Sequence, residues 1–160
     1  MTTIHVRPML AGDLTALLMR EVPAATEGVL AAATPVDELI ALLGERKAQG
    51  VAFCHGPMAI ACGGVEPAAG DPETGNAWLV AGVEASRAQP VALGRAIVRE
   101  FHRLAAPFDT VRAECMVGDT LSSRLLEALG CTPVGAPGKA GKAIGLWQSY
   151  VLAPTHRRAA

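Results

Sequence analysis

The chain is predicted to fold as a mixed α/β domain of the α+β kind: a central sheet of about six to seven strands flanked by about four helices, in the order β-α-α-β-β-β-α-β-α-β-β. Three observations predict it. Apolar residues make up 51% of the 160 positions, ample for one core. Short apolar runs of strand type are interleaved with segments whose apolar residues recur at helical spacing. Two strand-then-helix units also follow each other within residues 78–130, an arrangement that opens a ligand crevice at the strand ends.

Ile4, Val6 and Met9 flank Arg7-Pro8 and make a short first strand that the proline stops. Asp13 caps a first helix in which Leu10, Leu14, Leu17 and Leu18 repeat to about Arg20, and Pro23 ends it. The alanine-rich link 24–33 reads as loop or frayed helix. Thr34-Pro35-Val36-Asp37 starts a second helix: a hydroxyl cap, proline at the first helical position and a carboxylate in the first turn. Val36, Leu39, Ile40 and Leu43 are its buried stripe, Arg46 and Lys47 suit its dipole, and Gly50 closes it.

Residues 51–54 and 58–62 are apolar runs around His55-Gly56-Pro57, which is hairpin chemistry. Gly63-Gly64 predicts a bulge or a close backbone approach. Residues 67–75, polar with proline and glycine, predict an exposed loop. A fourth strand follows at 77–83, its near-continuous apolar run fitting a position covered on both faces.

After the turn holding Gln89-Pro90-Val91-Ala92-Leu93-Gly94 comes a helix to Leu104, with Leu93, Ile97, Phe101 and Leu104 on one side and Arg95, Arg99 and Arg103 on another. In the strand 111–117, Val111, Ala113, Cys115 and Val117 alternate with Arg112 and Glu114, a pair that reads as a solvated strand face. Asp119 or Thr120 caps the last helix, with Leu121, Leu125 and Leu129 inside and Gly130 at its end. A short strand near Val134, a flexible loop over 135–142 and a final strand over 146–152 complete the order. One domain is expected over 1–153, followed by a short tail with the basic run His156-Arg157-Arg158.

Charged residues are 18% of the chain and the formal net charge is -1, so no global basic field draws it to nucleic acid or an anionic membrane. No run approaches the length of a membrane span, and the N-terminus lacks the charged-then-apolar order of a signal peptide. Cys54, Cys62, Cys115 and Cys131 show no metal-ligand or redox spacing, so no metal is expected and a reducing setting is. Lys139 and Lys142 lack the spacing of a phosphate loop, and no Gly-x-Ser-x-Gly occurs for a serine nucleophile.

Order and motifs resemble the GNAT superfamily of acetyl-CoA-dependent N-acetyltransferases, over nearly the whole chain. The family's Gln/Arg-x-x-Gly-x-Gly/Ala pattern is matched by Gln89-x-x-Ala92-x-Gly94 and then Arg95, at the start of a helix whose backbone amides must approach a pyrophosphate. Pro90 has no N–H to offer and Ala92 adds a methyl, so weakened affinity is expected. The family's Asn-x-x-Ala-x-x-Leu-Tyr-x-x-x-Gly pattern becomes Asp119-x-x-Ser122-x-x-Leu125-Leu126-x-x-x-Gly130. Leu126 thus replaces the tyrosine that in many members protonates the departing thiolate. If acetyl-CoA binds, the resemblance implies contacts from Val83, Gln89, Ala92, Leu93, Gly94, Arg95 and Asp119. Glu66 and Glu84, near the ends of strands, are the carboxylates that fit a general base.

The chain resembles more closely the internal virion protein A family of short-tailed bacteriophages. The likeness is carried by Gly56-Pro57-Met58-Ala59-Ile60, by Ala77-Trp78-Leu79-Val80, and by the stretches from Phe108-Asp109-Thr110 through Val117-Gly118-Asp119-Thr120 to Leu129-Gly130. It implies a virion-associated assembly protein on a degenerate, non-catalytic acetyltransferase fold. No cofactor is then expected, its partners are other virion or head-tail proteins in a multicopy assembly, and it is located in the particle and in the host cytoplasm during assembly. The alternative is an active acetyl-CoA-dependent N-acetyltransferase whose amine acceptor the sequence leaves open.

Overall fold

The computed structural model describes residues 3–18, 50–139 and 146–152. Seven strands, β1 (Ile4–Pro8), β2 (Val51–His55), β3 (Met58–Ala68), β4 (Asp71–Ala81), β5 (Thr110–Met116), β6 (Thr132–Gly138) and β7 (Trp147–Leu152), form one sheet in the order β1-β2-β3-β4-β5-β7-β6. The described helices are α1 (Ala11–Leu18), α2 (Val83–Arg87), α3 (Pro90–Ala105) and α4 (Thr120–Ala128). Every neighbouring pair of strands is antiparallel except β4 and β5. The mixed sheet with flanking helices is the predicted class. The predicted helix from Thr34, the link before it, the loop residues beyond Lys139 and the basic tail lie outside the described residues.

Strand alternation sorts the side chains onto two faces. Ala52, Cys54, Cys62 and Val80 pack with Leu14 and Leu17 of α1. On the other face Val51, Phe53 and Ala61 meet Leu93 and Ala96 of α3. Further along it, Val111, Ala113 and Cys115 meet Phe101 of α3, Leu126 of α4 and Leu129 at the end of α4. Ile60 is the extra residue of a bulge, because Phe53 pairs Ala61 and Cys54 pairs Ala59. Asp13 lies inside α1, not before it; its carboxylate accepts the Leu10 amide at 2.7 Å and a two-pronged bond from Arg7 at 2.6 and 2.7 Å, clasping β1 to the helix.

Several elements differ from expectation. Residues 67–75 are not a loop: β3 and β4 run on as a long ribbon, pairing from Ala61 and Ala81 out to Ala68 and Asp71, with a turn at Gly70 where φ is +76°. Composition measures how little of a segment is buried; ladder hydrogen bonds in a contiguous hairpin do not need burial. No register shift falls at Gly63-Gly64. Gly64 instead admits a ring, since a Cβ there would stand 2.9 Å from Nε1 of Trp78. β4 ends at Ala81, and Val83 begins α2 after an extended Gly82 whose amide bonds the Ile60 carbonyl at 2.9 Å. Leu121 is 81% exposed and Leu126 takes the inner position. β6 extends to Gly138, through residues expected to be loop.

Candidate functional site

β4 and β5 share only the rungs Thr74–Thr110, Gly75–Val111 and Asn76–Arg112. Beyond them β4 stays paired with β3 as far as Ala81, and β5 stays paired with β7 as far as Met116, but the two no longer pair with each other. The sheet therefore splits into a wedge that opens toward the C-terminal ends of both strands. The facing backbone edges of residues 77–81 and 113–116 are left to seek hydrogen bonds elsewhere. The apolar run of β4 is not covered throughout as expected: Leu79, on the stretch where pairing with β5 has ended, is 37% exposed.

Two spaces flank the split. On the side of α3 and α4 lies an apolar cavity of about 170 Å³, lined by Leu79, Ile97, Phe101, Ala113, Cys115 and Leu126, with Glu100, Glu114 and Ser122 as polar members. A wider basin of about 540 Å³ is lined by Asn76, Trp78, Val80, Arg112, Glu114, Met116, Asp119, Ser122 and Trp147. Ser122 reaches both. Its amide and hydroxyl both donate to the carboxylate of Asp119, which caps α4.

Glu100 is a buried carboxylate on the inner face of α3. Burial raises its pKa, but hydrogen bonds from Arg103 Nε at 2.7 Å and Arg99 Nε at 3.1 Å outweigh that and hold it below the usual carboxylate range. Burial pushes the Cys115 thiol up, against a hydrogen bond with Tyr150.

The chain leaves β4 at Ala81, the end toward which the wedge opens, makes α2 and, after a two-residue link, starts α3. Gln89 caps α3 in the left-handed region, with φ 43° and ψ 63° and no side-chain cap bond. A non-glycine residue there costs about 1–3 kcal/mol and marks turns that serve a site. The first intrahelical bond runs from the Leu93 amide to the Gln89 carbonyl, which leaves the amides of Val91 and Ala92 as the first-turn donors, Pro90 having none. Gly94 lies in the next turn, and a Cβ there would meet nothing within 4 Å. Packing does not require this glycine, and the open space leaves room for an external group to approach the helix there.

Of the residues implied as cofactor contacts, Gln89, Ala92, Gly94 and Arg95 thus gather at the start of α3, whereas the Leu93 side chain is committed to the core and Val83 belongs to α2. Asp119 lines the basin but spends its carboxylate on the cap. Neither proposed base lines the wedge. Glu66 is half-buried opposite Asn76, and the Glu84 carboxylate is turned in against Gly82, where Oε2 is buried with no partner. The carboxylate that does line both spaces is Glu114, which accepts Ser149 Oγ at 3.2 Å. Alternation placed it beside Arg112 on an outward face; that β4 withdraws from that edge was not visible in either strand alone. Among the described residues no cluster of His, Cys, Asp or Glu could hold a metal, and no helix is long and apolar enough to cross a membrane.

No protein-family model and no curated protein matches the chain in sequence. Solved structures match it in fold. YncA of Salmonella typhimurium, described as an acetyltransferase and bound to its cofactor acetyl-CoA, superposes with a TM-score of 0.70 at 14% identity, over 98% of this chain and 97% of that one. An acetyltransferase of the GNAT family from Bacillus anthracis gives 0.69 at 12% identity, over 96% of each chain. The aminoglycoside acetyltransferase AAC(6')-Ib in complex with coenzyme A gives 0.69 at 14%, again over 96% of each. The chain has the fold of the GNAT acetyltransferases; at these identities the likeness is one of fold. Nothing in the descriptions of these three points to a virion role.

Proposed function

We propose that the chain is an acetyl-CoA-dependent N-acetyltransferase that takes the pantetheine arm of its cofactor between β4 and β5. The observation that carries this reading is the split itself: two strand edges that stop pairing with each other while each keeps its other partner. The residues present fit the group. The wedge offers unpaired backbone edges for amides, and the α3 start offers first-turn N–H groups and an open glycine for a pyrophosphate. When bound, acetyl-CoA supplies a thioester acetyl group to an amine, which loses a proton as the departing thiol gains one.

The chain's own residues divide that work. Glu114 is the carboxylate placed to take the proton from the amine. Ser122, in both spaces, carries an exchangeable proton on the same helix face as Leu126, one turn earlier. Leu126 has none, so the proton of the thiol must come from Ser122 or water, and turnover is expected to be slow. Pro90 and the methyl of Ala92 weaken the cofactor's phosphate site.

Thermal unfolding with acetyl-CoA tests the binding step. Stabilisation should follow mass action, about 2.7 kcal/mol at a hundredfold excess over Kd. An unchanged Tm at millimolar cofactor rejects the reading. Leu126 favours a second reading, a binding fold without turnover that serves in phage assembly. Stabilisation by the cofactor with no thiol released to any amine, together with detection of the chain in purified particles by mass spectrometry, would establish it.

A further inference from the structure

We infer that the acceptor is an amine that also carries a carboxylate, of the free α-amino acid class, held in the basin with its carboxylate on Arg112 and its ammonium on Glu114. This rests on the acetyltransferase reading above and adds its substrate class.

Arg112 and Glu114 lie two residues apart on one face of β5, so their Cα atoms are about 6.5–7 Å apart and their side chains start out side by side. They nevertheless form no ion pair with each other: the Glu114 carboxylate takes the Ser149 hydroxyl, and Arg112 makes no hydrogen bond or ion pair among the described residues. Arg112 feels the charge of Asp71, but no hydrogen bond among the described residues claims its five donors, and such a guanidinium is a ready receptor for a carboxylate. Position orders the two charges. Arg112 is on the last rung shared with β4, at the vertex of the wedge, and Glu114 is two residues further along the split. A ligand that spans them sets its carboxylate toward the vertex and its amine beside the unpaired edges.

The other described acid of the basin, Asp119, is engaged in capping α4, which leaves one cation and one anion for the ligand. Polycationic amines fit this balance poorly, because they would face Arg112. Trp78 and Trp147 supply apolar wall for a side chain, and about 540 Å³ suits a small molecule.

The test uses the full chain, acetyl-CoA, and three acceptors that differ only in the group beside the amine: leucine, leucinamide and isoamylamine, with spermidine as the polycation. Initial rates of thiol release should give a kcat/KM for leucine at least about tenfold above the other three. Arg112→Gln should abolish that preference by raising the KM for leucine, leave the KM for acetyl-CoA unchanged, and be partly rescued by Arg112→Lys. Equal use of leucine and isoamylamine, or preference for spermidine, overturns the assignment while the acetyltransferase reading stands. If acetyl-CoA stabilises the chain but no thiol is released, calorimetric titration of leucine into the cofactor-loaded protein decides, and absence of heat overturns it. Failure of acetyl-CoA to stabilise the chain removes both.

Discussion

Leu126 is the residue at which the fold and its chemistry part company. It lines the apolar cavity beside Cys115, where a phenol would stand within the wedge. Replacing it by tyrosine fills part of that space and adds a proton donor; thiol release should rise by about a hundredfold or more, measured as kcat at saturating acetyl-CoA. Gly94→Ala separates two roles at a single position. With no atom near the added Cβ, it should stabilise the helix by about 0.5–1 kcal/mol in urea unfolding and at the same time weaken acetyl-CoA. A glycine that the fold itself required would lose stability instead and leave the affinity unchanged. Both positions could be picked out of the sequence, because Gly94 keeps and Leu126 interrupts a motif of fixed spacing. Glu100 and Glu114 could not: one is a charge on the inner side of α3 that only Arg99 and Arg103 make tolerable, and the other becomes a site residue only through the retreat of β4.

Elements that fold through local signals were legible, and those that depend on a partner strand were not. The alternation of Val111, Ala113 and Cys115 appears as predicted, with all three buried, but β5 stops at Met116 and Val117, expected on the same face, is exposed. The β3–β4 ribbon escaped because Pro67, Gly70 and Pro72 mark turns by composition, while pairing across the hairpin is a property of two segments together. Its integrity is testable at Gly64. Valine there would drive its Cβ into the Trp78 ring, and a loss of about 1–3 kcal/mol should appear in denaturant unfolding, with a smaller loss for alanine. The clasp of β1 on α1 has a pH signature. Arg7 holds the Asp13 carboxyl below its usual range, as Arg103 and Arg99 hold that of Glu100. A folded pKa that is depressed contributes stability in full above the unfolded value near 4, and the contribution is lost as pH falls through the folded values. Stability should therefore decline below about pH 4, and Asp13→Asn should make that decline shallower while costing about 1–2 kcal/mol at neutral pH, where the bidentate bond is intact.

At the scale of the whole molecule, the mixed sheet and the order of its strands along the chain follow from periodicity, whereas α2 was not foreseen, and the superposition on acetyltransferases covers nearly all of each chain. What periodicity does not encode is the point at which a sheet stops being continuous; the split arises where β3 and β7 hold β4 and β5 apart. The whole fold also hides its sulfur. Cys54, Cys62, Cys115 and Cys131 are all free and buried, and burial pushes the Cys62 thiol up to about 12 and that of Cys131 up to about 11. A disulfide reagent should accordingly count fewer than one thiol per native chain at pH 8 and all four once the chain is denatured. Coenzyme A liberated in solution would be read against a silent protein. The slow appearance of protein-bound label, followed over hours, becomes a clock for how often the sheet opens.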